Sequence, residues 1–178
     1  VAKVGGIEHG WRSGQGIAVR RAGGVTVGAI VANNAVGEVI ADDGSWLARS
    51  RAPDDVVRYP ESWRAFAGAR DEHGRLVEPA AGPTEATVIG CIVTDAILTK
   101  TEAVRVADIA HGGTMRAVRP AHTSMDGDAL FCLAAQRVES HVDLVAHLAT
   151  EAVAEAARRG PLAATGREGL PGLADLPA

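Results

Sequence analysis

The chain has 178 residues, with 18 basic and 22 acidic side chains and a formal net charge of −4. This length suffices for one domain with a hydrophobic core, whereas the weakly acidic balance provides no basic surface for nucleic acid. No apolar stretch approaches the roughly 20 residues of a membrane-spanning helix, and the first residues lack the features of a secretion signal. We therefore expect a cytoplasmic protein with no nucleic-acid or membrane partner.

The first residues indicate a piece of a larger protein. The chain begins at Val1 with no initiator methionine, and Gly5-Gly6 follows almost at once. Two strands are then predicted at residues 16–20 and 25–33, joined by Ala22-Gly23-Gly24, whose glycines supply the positive φ angles of a tight hairpin.

A short extended segment is predicted at residues 38–41, after which the composition changes. From residue 42 to 86 turn-forming residues dominate and apolar positions are sparse. Only residues 62–69 have the pattern of a short helix. A segment of this length without a core of its own is either functional or mobile, and we interpret it as a processing loop.

Strands and helices follow each other in the second half of the chain. Residues 88–94 form a continuous apolar run, which is typical of a strand covered on both faces, and residues 129–135 form another apolar strand. Between them Thr99 and Glu102 make a capping box for a helix whose apolar residues recur at helical spacing, and Pro120 closes this segment.

A last helix is predicted at residues 140–159. Arg158 and Arg159 suit the negative end of its dipole, and Gly160-Pro161 ends it. The tail at 161–178, rich in Gly, Pro and Ala, is predicted to be disordered. This order of elements predicts a layered α/β or α+β sandwich.

Thr87 is the most informative residue, because it begins an apolar strand and directly follows the irregular segment. An enzyme that cuts its own backbone before a threonine frees an α-amine beside the hydroxyl, so the hydroxyl attacks and the amine accepts its proton. An α-amine has a pKa near about 7.7–8.0 and is partly neutral at physiological pH. Strands also begin with threonine because of propensity alone, so Thr87 supports this chemistry only in combination with other residues.

The densest polar cluster is His122-Thr-Ser-Met-Asp126-Gly-Asp128, directly before the last predicted strand. In an extended chain two carboxylates two residues apart point to the same side, and their repulsion favours an amine or lysine between them. An ordinary acidic turn explains the same residues and is the more frequent arrangement. A calcium loop is excluded, because the later oxygen ligands and the closing glutamate are missing.

No metal or cofactor is expected. His111, His122 and Asp126 match no zinc-binding spacing, and we interpret the histidines as ordinary surface or hydrogen-bonded residues. Cys91 and Cys132 both lie in apolar segments, and we interpret them as small buried hydrophobic side chains instead of a disulfide or a metal pair.

Three segments in order carry a resemblance to a known family. They are Thr26-Val-Gly-Ala-Ile-Val with Asn34-Ala-Val-Gly37, Thr87-Val-Ile-Gly with Ile92-Val-Thr-Asp95, and Arg119-Pro-Ala-His-Thr-Ser-Met-Asp-Gly-Asp-Ala-Leu-Phe131. They resemble the self-processing serine/threonine hydrolases that include D-aminopeptidase/esterase, β-peptidyl aminopeptidases and nylon-oligomer hydrolase. The threonine and the Met-Asp-Gly-Asp motif bring the chain closest to the nylon-oligomer hydrolase branch, over nearly its whole length.

The resemblance implies an α+β fold, the αββα sandwich of N-terminal-nucleophile hydrolases, of which this chain would form only the C-terminal part. Residues 1–86 would be the end of the α-subunit region, with the processing loop at about 42–86. Residues 87–160 would be the β-subunit region and 161–178 the tail. Pairing of the two processed subunits and assembly into a homo-oligomer are also implied.

The resemblance also implies the chemistry. The Ala86–Thr87 bond would be cleaved, and Thr87 would then hydrolyse amides through an acyl-enzyme ester. Asn34 would donate to the charge developing on the attacked carbonyl, and Lys3 would keep the new amine neutral. Two acids, Asp126 and Asp128, would position the amine and the lysine. On local grounds Lys3 and Asn34 are an ordinary solvated lysine and an ordinary turn residue.

The chain departs from the family at two points. Relatives often have Asn-Thr-Thr-Ile at the cut, whereas this chain has Ala86-Thr-Val-Ile, which we expect to slow or abolish processing. Thr84 is a weaker rival nucleophile. Family members also carry a further N-terminal portion, so this chain alone is not expected to be active.

Two alternatives to hydrolysis therefore stay open. One is acyl transfer of the ornithine acetyltransferase type, and the other is a catalytically inactive partial homologue. The substrate, whether a D-amino-acid amide, a β-peptide or a nylon-type oligoamide, is also left open.

Overall fold

The computed structural model describes residues 1–62, 64, 67–77 and 86–177. The helix predicted at 62–69 is only partly covered by these residues, and Thr84 lies outside them. In chain order the elements are β1 (Gln15–Ala22), β2 (Val25–Asn34), β3 (Glu38–Ile40), β4 (Trp46–Ala48), β5 (Ala69–Arg70), β6 (Leu76–Val77), β7 (Thr87–Ala96), α1 (Lys100–Ala117), β8 (Val118–Arg119), β9 (Ala129–Val138) and α2 (Val142–Leu162).

The main sheet has four strands in the order β1-β2-β7-β9. The first three are antiparallel neighbours, and β9 lies parallel to β7, to which it is connected through α1. The predicted hairpin is present, with Gly23 and Gly24 as its two-residue turn at φ values of 56° and 80°. Both angles are positive, as a type I′ turn requires. The α+β class predicted from the sequence is confirmed.

Both helices pack on one face of this sheet and form the core with it. Alternate side chains of β2 and β7, such as Val27, Val31 and Ile92, are buried against Val106 of α1 and Val153 of α2. Two glycines allow this close approach. A Cβ on Gly16 would lie 2.0 Å from the carbonyl oxygen of Ala156, and one on Gly113 would lie 2.3 Å from that of Thr150.

The opposite face of the main sheet is apolar and open in the described part of the chain. Its residues alternate with those of the core face, as a strand period of two requires. They are Ile17, Val19, Ile30, Ile89, Val93, Phe131 and Leu133. Phe131 and Leu133 are 61% and 60% exposed. The sequence predicts that residues 88–94 are covered on both faces, whereas the described part of the chain covers only one, because α1 and α2 lie on the same side.

A second, smaller sheet in the order β4-β3-β8 lies beside the helices. Arg158 of α2 connects this second sheet to the helices. Its guanidinium is buried, donates to the carbonyl oxygens of Ile40 (2.8 Å) and Arg116 (3.1 Å), and lies 2.7 Å from the Asp42 carboxylate. Arg158 therefore holds three elements together, a role that its predicted interaction with the helix dipole did not anticipate. The predicted loop at 42–86 contains β4 and the short pair β5–β6.

The helix ends agree with the sequence at the start of α1 but not at the end of α2. Thr99 and Glu102 form the predicted capping box. The second helix begins after His141 and continues through Pro161 to Leu162, so Gly160-Pro161 does not end it.

The tail also differs from its prediction of disorder. A 3-10 turn forms at Leu173–Asp175, the Gly166 N–H donates to the Asp175 carboxylate at 2.6 Å, and the Arg12 N–H donates to the Pro171 carbonyl at 2.8 Å. These bonds fold the tail back onto the segment before β1.

Within the described ranges, the longest apolar helical stretches fall short of what would be required to cross a bilayer. The cytoplasmic location stays a prediction.

Candidate active site

Thr87 is the first residue of β7, next to the peptide bond predicted to be cleaved. Its hydroxyl donates to the carbonyl oxygen of Ala86 at 2.6 Å, and the backbone N–H of Gly127 donates to the same oxygen at 2.9 Å. A bridge between Ala86 and Asp126 continues the pairing of this segment. Two donors therefore converge on the Ala86 carbonyl, and hydrogen bonds of this kind stabilise negative charge that develops on a carbonyl oxygen.

Asn34 and Lys3 lie across the strand from Thr87. In the antiparallel register Asn34 is the direct partner of Thr87, so both side chains are on the open face of the sheet. Lys3 is only 6% exposed, and its ammonium donates to the backbone oxygen and to the side-chain Oδ1 of Asn34, both at 3.0 Å. An ammonium only donates. The side-chain oxygen of Asn34 must therefore face Lys3, which directs the Nδ2 donor elsewhere.

Asp128 contacts the backbone of Val88, the residue after Thr87. One oxygen, Oδ1, accepts the backbone N–H of Val88 at 2.7 Å. The other, Oδ2, lies 2.7 Å from Nδ1 of His122, and the Asp128 side chain is only 5% exposed. Asp128 therefore ties the turn before β9 to the start of β7.

Asp126 is used differently. Its Oδ2 accepts the N–H and the hydroxyl of Thr123, at 2.9 and 2.7 Å, and closes a local turn. Its Oδ1 is buried with no hydrogen-bond partner in the described part of the chain. The sequence left an acidic turn and an amine-binding pair open. In the structure one oxygen of Asp126 closes the turn, whereas Asp128 accepts a backbone N–H beside Thr87.

Two features near Thr87 were not identified as functional from the sequence. The first is Gly127, where a Cβ would lie 3.2 Å from Oγ1 of Thr87. The second is the contact of His122 with Asp128, next to the edge-to-face stacking of His111 on His122 at 4.8 Å between ring centroids. Burial, and then the neighbouring His122, lower the pKa of His111. Both Gly127 and His122 belong to the polar motif at residues 122–128, in which the carboxylates are the more evident signal.

A cleft of about 430 Å³ opens beside Lys3 and Asn34. Its wall includes Trp11, Arg12 and Ser13 from the segment before β1. The Nε of Arg12 and the hydroxyl of Ser13 are buried without a hydrogen-bond partner among the described residues. Lys3 and Asn34 are themselves among the residues that line this cleft.

Neither cysteine takes part in this site. Both are half-buried free thiols, and burial raises the pKa of Cys132. The described ranges contain no group of three or more His, Cys, Asp or Glu side chains arranged to hold a metal ion.

Comparison with known proteins identifies relatives of both chain and fold. An uncharacterized aminopeptidase of Mycobacterium leprae is 38% identical over 119 residues, which are 66% of this chain and 31% of that protein. The 6-aminohexanoate-oligomer endohydrolase of Paenarthrobacter ureafaciens is 34% identical over 131 residues, which are 71% of this chain and 34% of that protein. The chain thus spans about a third of the length of these curated relatives.

Solved structures show the same fold at lower identity. A Burkholderia sp. β-aminopeptidase superposes with a TM-score of 0.61 at 22% identity, over 97% of this chain and 51% of that one. The L-aminopeptidase/D-Ala-esterase/amidase of Ochrobactrum anthropi, a variant of the Ntn hydrolase fold, superposes with a TM-score of 0.55 at 20% identity, over 88% of this chain and 42% of that one. The resemblance seen in the sequence is confirmed, and the model of Peptidase family S58 matches residues 2–172. The chain belongs to Peptidase family S58.

Proposed function

We propose that this chain supplies the nucleophile of an amide-bond hydrolase that activates itself by cleaving the Ala86–Thr87 bond. One observation carries the proposal. The Thr87 hydroxyl contacts the Ala86 carbonyl, while Asn34, held by Lys3, lies directly opposite in the sheet. The family and the activities for which its relatives are named, aminopeptidase and oligomer endohydrolase, support the same reaction class.

Self-cleavage starts with attack of Thr87 Oγ1 on the carbonyl carbon of Ala86. The Ala86 carbonyl oxygen takes up negative charge, which the Gly127 N–H stabilises. The C–N bond then breaks, the hydroxyl proton passes to the leaving nitrogen, and an ester joins Ala86 to Thr87. Water hydrolyses this ester and leaves a carboxylate on Ala86 and a free α-amine on Thr87.

Substrate hydrolysis then uses the same hydroxyl. The new amine takes the hydroxyl proton while Oγ1 attacks the substrate carbonyl, and the Asn34 amide donates to the oxygen that becomes negative. The leaving amine receives the proton, and water cleaves the acyl ester. The Lys3 charge disfavours protonation of the amine, and Asp128 fixes the backbone next to it.

The substrate in this proposal is a chain that contains amide bonds. The cleft lined by Lys3 and Asn34 gives it a place next to the proposed oxyanion donor, Asn34. Aminopeptidase and oligoamide hydrolase activities both fit this class, since the relatives are named for each.

The open face of the main sheet supports a further part of the proposal. Exposed apolar patches of this kind mark surfaces that pack against other protein. We place on it the second sheet of the αββα sandwich, contributed by protein outside these 178 residues. Pairing of the processed pieces and assembly into a homo-oligomer belong to the same proposal.

Hydrolysis assays of the full-length protein test this function. The substrates are a 6-aminohexanoate oligomer, a β-dipeptide and a D-amino-acid amide, with Thr87→Val as the matched variant without a hydroxyl. We expect amine release from at least one substrate by the wild type, and none by Thr87→Val. Equal activity of the two proteins would contradict the proposal. N-acetylglutamate formed from an acetylated donor and glutamate would indicate acyl transfer instead.

A further inference from the structure

His122 contacts the buried carboxylate that accepts the N–H of Val88, the residue after Thr87. Its Nδ1 is 2.7 Å from Oδ2 of Asp128, whose other oxygen accepts the Val88 N–H. The two atoms are close but not aligned as a hydrogen bond, and Oδ2 has no hydrogen-bond partner among the described residues. His122 is thus a polar side chain in direct contact with this oxygen in the described part of the chain.

The second ring nitrogen of His122 also faces an oxygen. Nε2 lies 3.3 Å from the backbone carbonyl oxygen of His111, and the His111 ring stacks edge-to-face on the His122 ring. The His122 ring is therefore held between two oxygen atoms, the Asp128 carboxylate oxygen on one side and the His111 carbonyl oxygen on the other.

The backbone of His122 is held in an unusual conformation. Its φ is +57°, in the left-handed region that few residues other than glycine adopt and that Asn, Asp and His tolerate best. Such a conformation persists where the surroundings determine it. Here it brings the imidazole between α1 and the turn before β9.

We propose that His122 is a positioning residue that holds Asp128 against the Val88 N–H and thereby places the Thr87 hydroxyl on the Ala86 carbonyl for self-cleavage. This inference rests on the proposed function. Without the imidazole the buried oxygen of Asp128 loses its contact with residue 122, and the carboxylate is free to turn away from β7. A nucleophile displaced by about 1 Å reacts about 100-fold more slowly, so the effect is expected on the rate of cleavage.

Three substitutions at residue 122 separate the effect of the side chain on Asp128 from the effect of the positive φ. His122→Asn and His122→Asp have the same shape and both tolerate a positive φ, but Asn offers an N–H to Asp128 whereas Asp adds a second negative charge. His122→Gly adopts the positive φ without strain and has no side chain that could contact Asp128. His147→Asn, an exposed position on α2, is the control for loss of a histidine.

The full-length proteins are made by cell-free synthesis, and samples taken over time are analysed by intact mass for cleavage at Ala86–Thr87. Thermal unfolding of each variant with Thr87→Val added shows whether the uncut precursor folds. We expect cleavage rates in the order wild type, Asn, Gly, Asp, with Gly and Asp slower than the wild type by about 10- to 100-fold. His147→Asn should match the wild type.

Equal rates for folded His122→Asn and His122→Asp would overturn the role of His122, because the two differ in donor and charge at constant shape. In that case a wild type that is cleaved leaves the proposed function intact. A folded wild type that is never cleaved refutes the proposed self-cleavage and the role of His122 with it.

Discussion

The substitution Gly127→Ala tests the geometry at Thr87 with one methyl group. The added Cβ would lie 3.2 Å from Oγ1 of Thr87 and 3.8 Å from the Ala86 oxygen. Ordinary contacts start at 3.4 Å, so the hydroxyl must move by a few tenths of an ångström or turn away from the carbonyl. Since about 1 Å of misplacement costs about 100-fold in rate, we expect self-cleavage to slow about 3- to 10-fold.

The fold should tolerate this change. Gly127 is not among the glycines at positive φ, and its N–H to the Ala86 oxygen is kept in the variant. The free energy of unfolding should change by less than about 1 kcal/mol, because alanine also restricts the unfolded chain. The effect is therefore expected in the rate and not in the stability.

The assay is the time course of cleavage of the newly made full-length precursor, measured by intact mass, with thermal unfolding alongside. Gly112→Ala is the matched control. It lies inside α1, its Cβ would meet only Thr150 Cγ2 at 3.8 Å, and alanine should stabilise the helix by about 0.5–1 kcal/mol. An unchanged cleavage rate in a stably folded Gly127→Ala protein would refute the placement of the hydroxyl against Gly127.

Four further changes test other parts of the account. Thr87→Ser should still be cleaved, because the hydroxyl remains; a mass spectrum showing only uncut Thr87→Ser precursor would speak against a hydroxyl nucleophile. Lys3→Met removes the donor to Asn34 and should lower the rate constant for amide hydrolysis about 100-fold, whereas a rate equal to wild type would remove Lys3 from the site. Burial raises the pKa of Glu38 above its ordinary 4.5, so the folded state binds the carboxyl proton more strongly than the unfolded state, and the stability of the wild type falls as pH rises above 4.5. In urea unfolding, Glu38→Gln should therefore gain stability relative to the wild type between pH 4.5 and 7. A difference in unfolding free energy between the two proteins that stays constant over this range would contradict the prediction. Arg158→Lys cannot keep all three contacts of the guanidinium and should lower the free energy of unfolding by about 2 kcal/mol, which chemical denaturation would detect and which an unchanged midpoint would disprove.

Local signals predicted most of the fold. The hairpin turn at Gly23-Gly24 and the capping box at Thr99 and Glu102 depend on neighbouring residues only, so the sequence is sufficient for them. The end of α2 is different, because a proline in the last turn need not stop a helix that is held by packing. Which faces of β7 the described residues cover could not be predicted, since a β-branched apolar run looks the same whether one or both faces are covered.

The candidate site depends on contacts that are distant in sequence. Lys3 and Asn34 are 31 residues apart, and Asp128 is 40 residues from Val88. No spacing rule connects such residues, so the sequence supplied them only through the family resemblance. The contact of His122 with Asp128 is close in sequence, but its direction depends on a positive φ that histidine adopts only in a specific environment.

The most direct test of the central claim is chemical labelling of free α-amines in the purified full-length protein, followed by mass spectrometry of its peptides. The account predicts a labelled peptide that begins with Thr87 in the wild type and is missing from Thr87→Val. An active wild-type hydrolase in which Thr87 is found only inside an uncut chain, with no labelled terminus at that residue, would contradict the account.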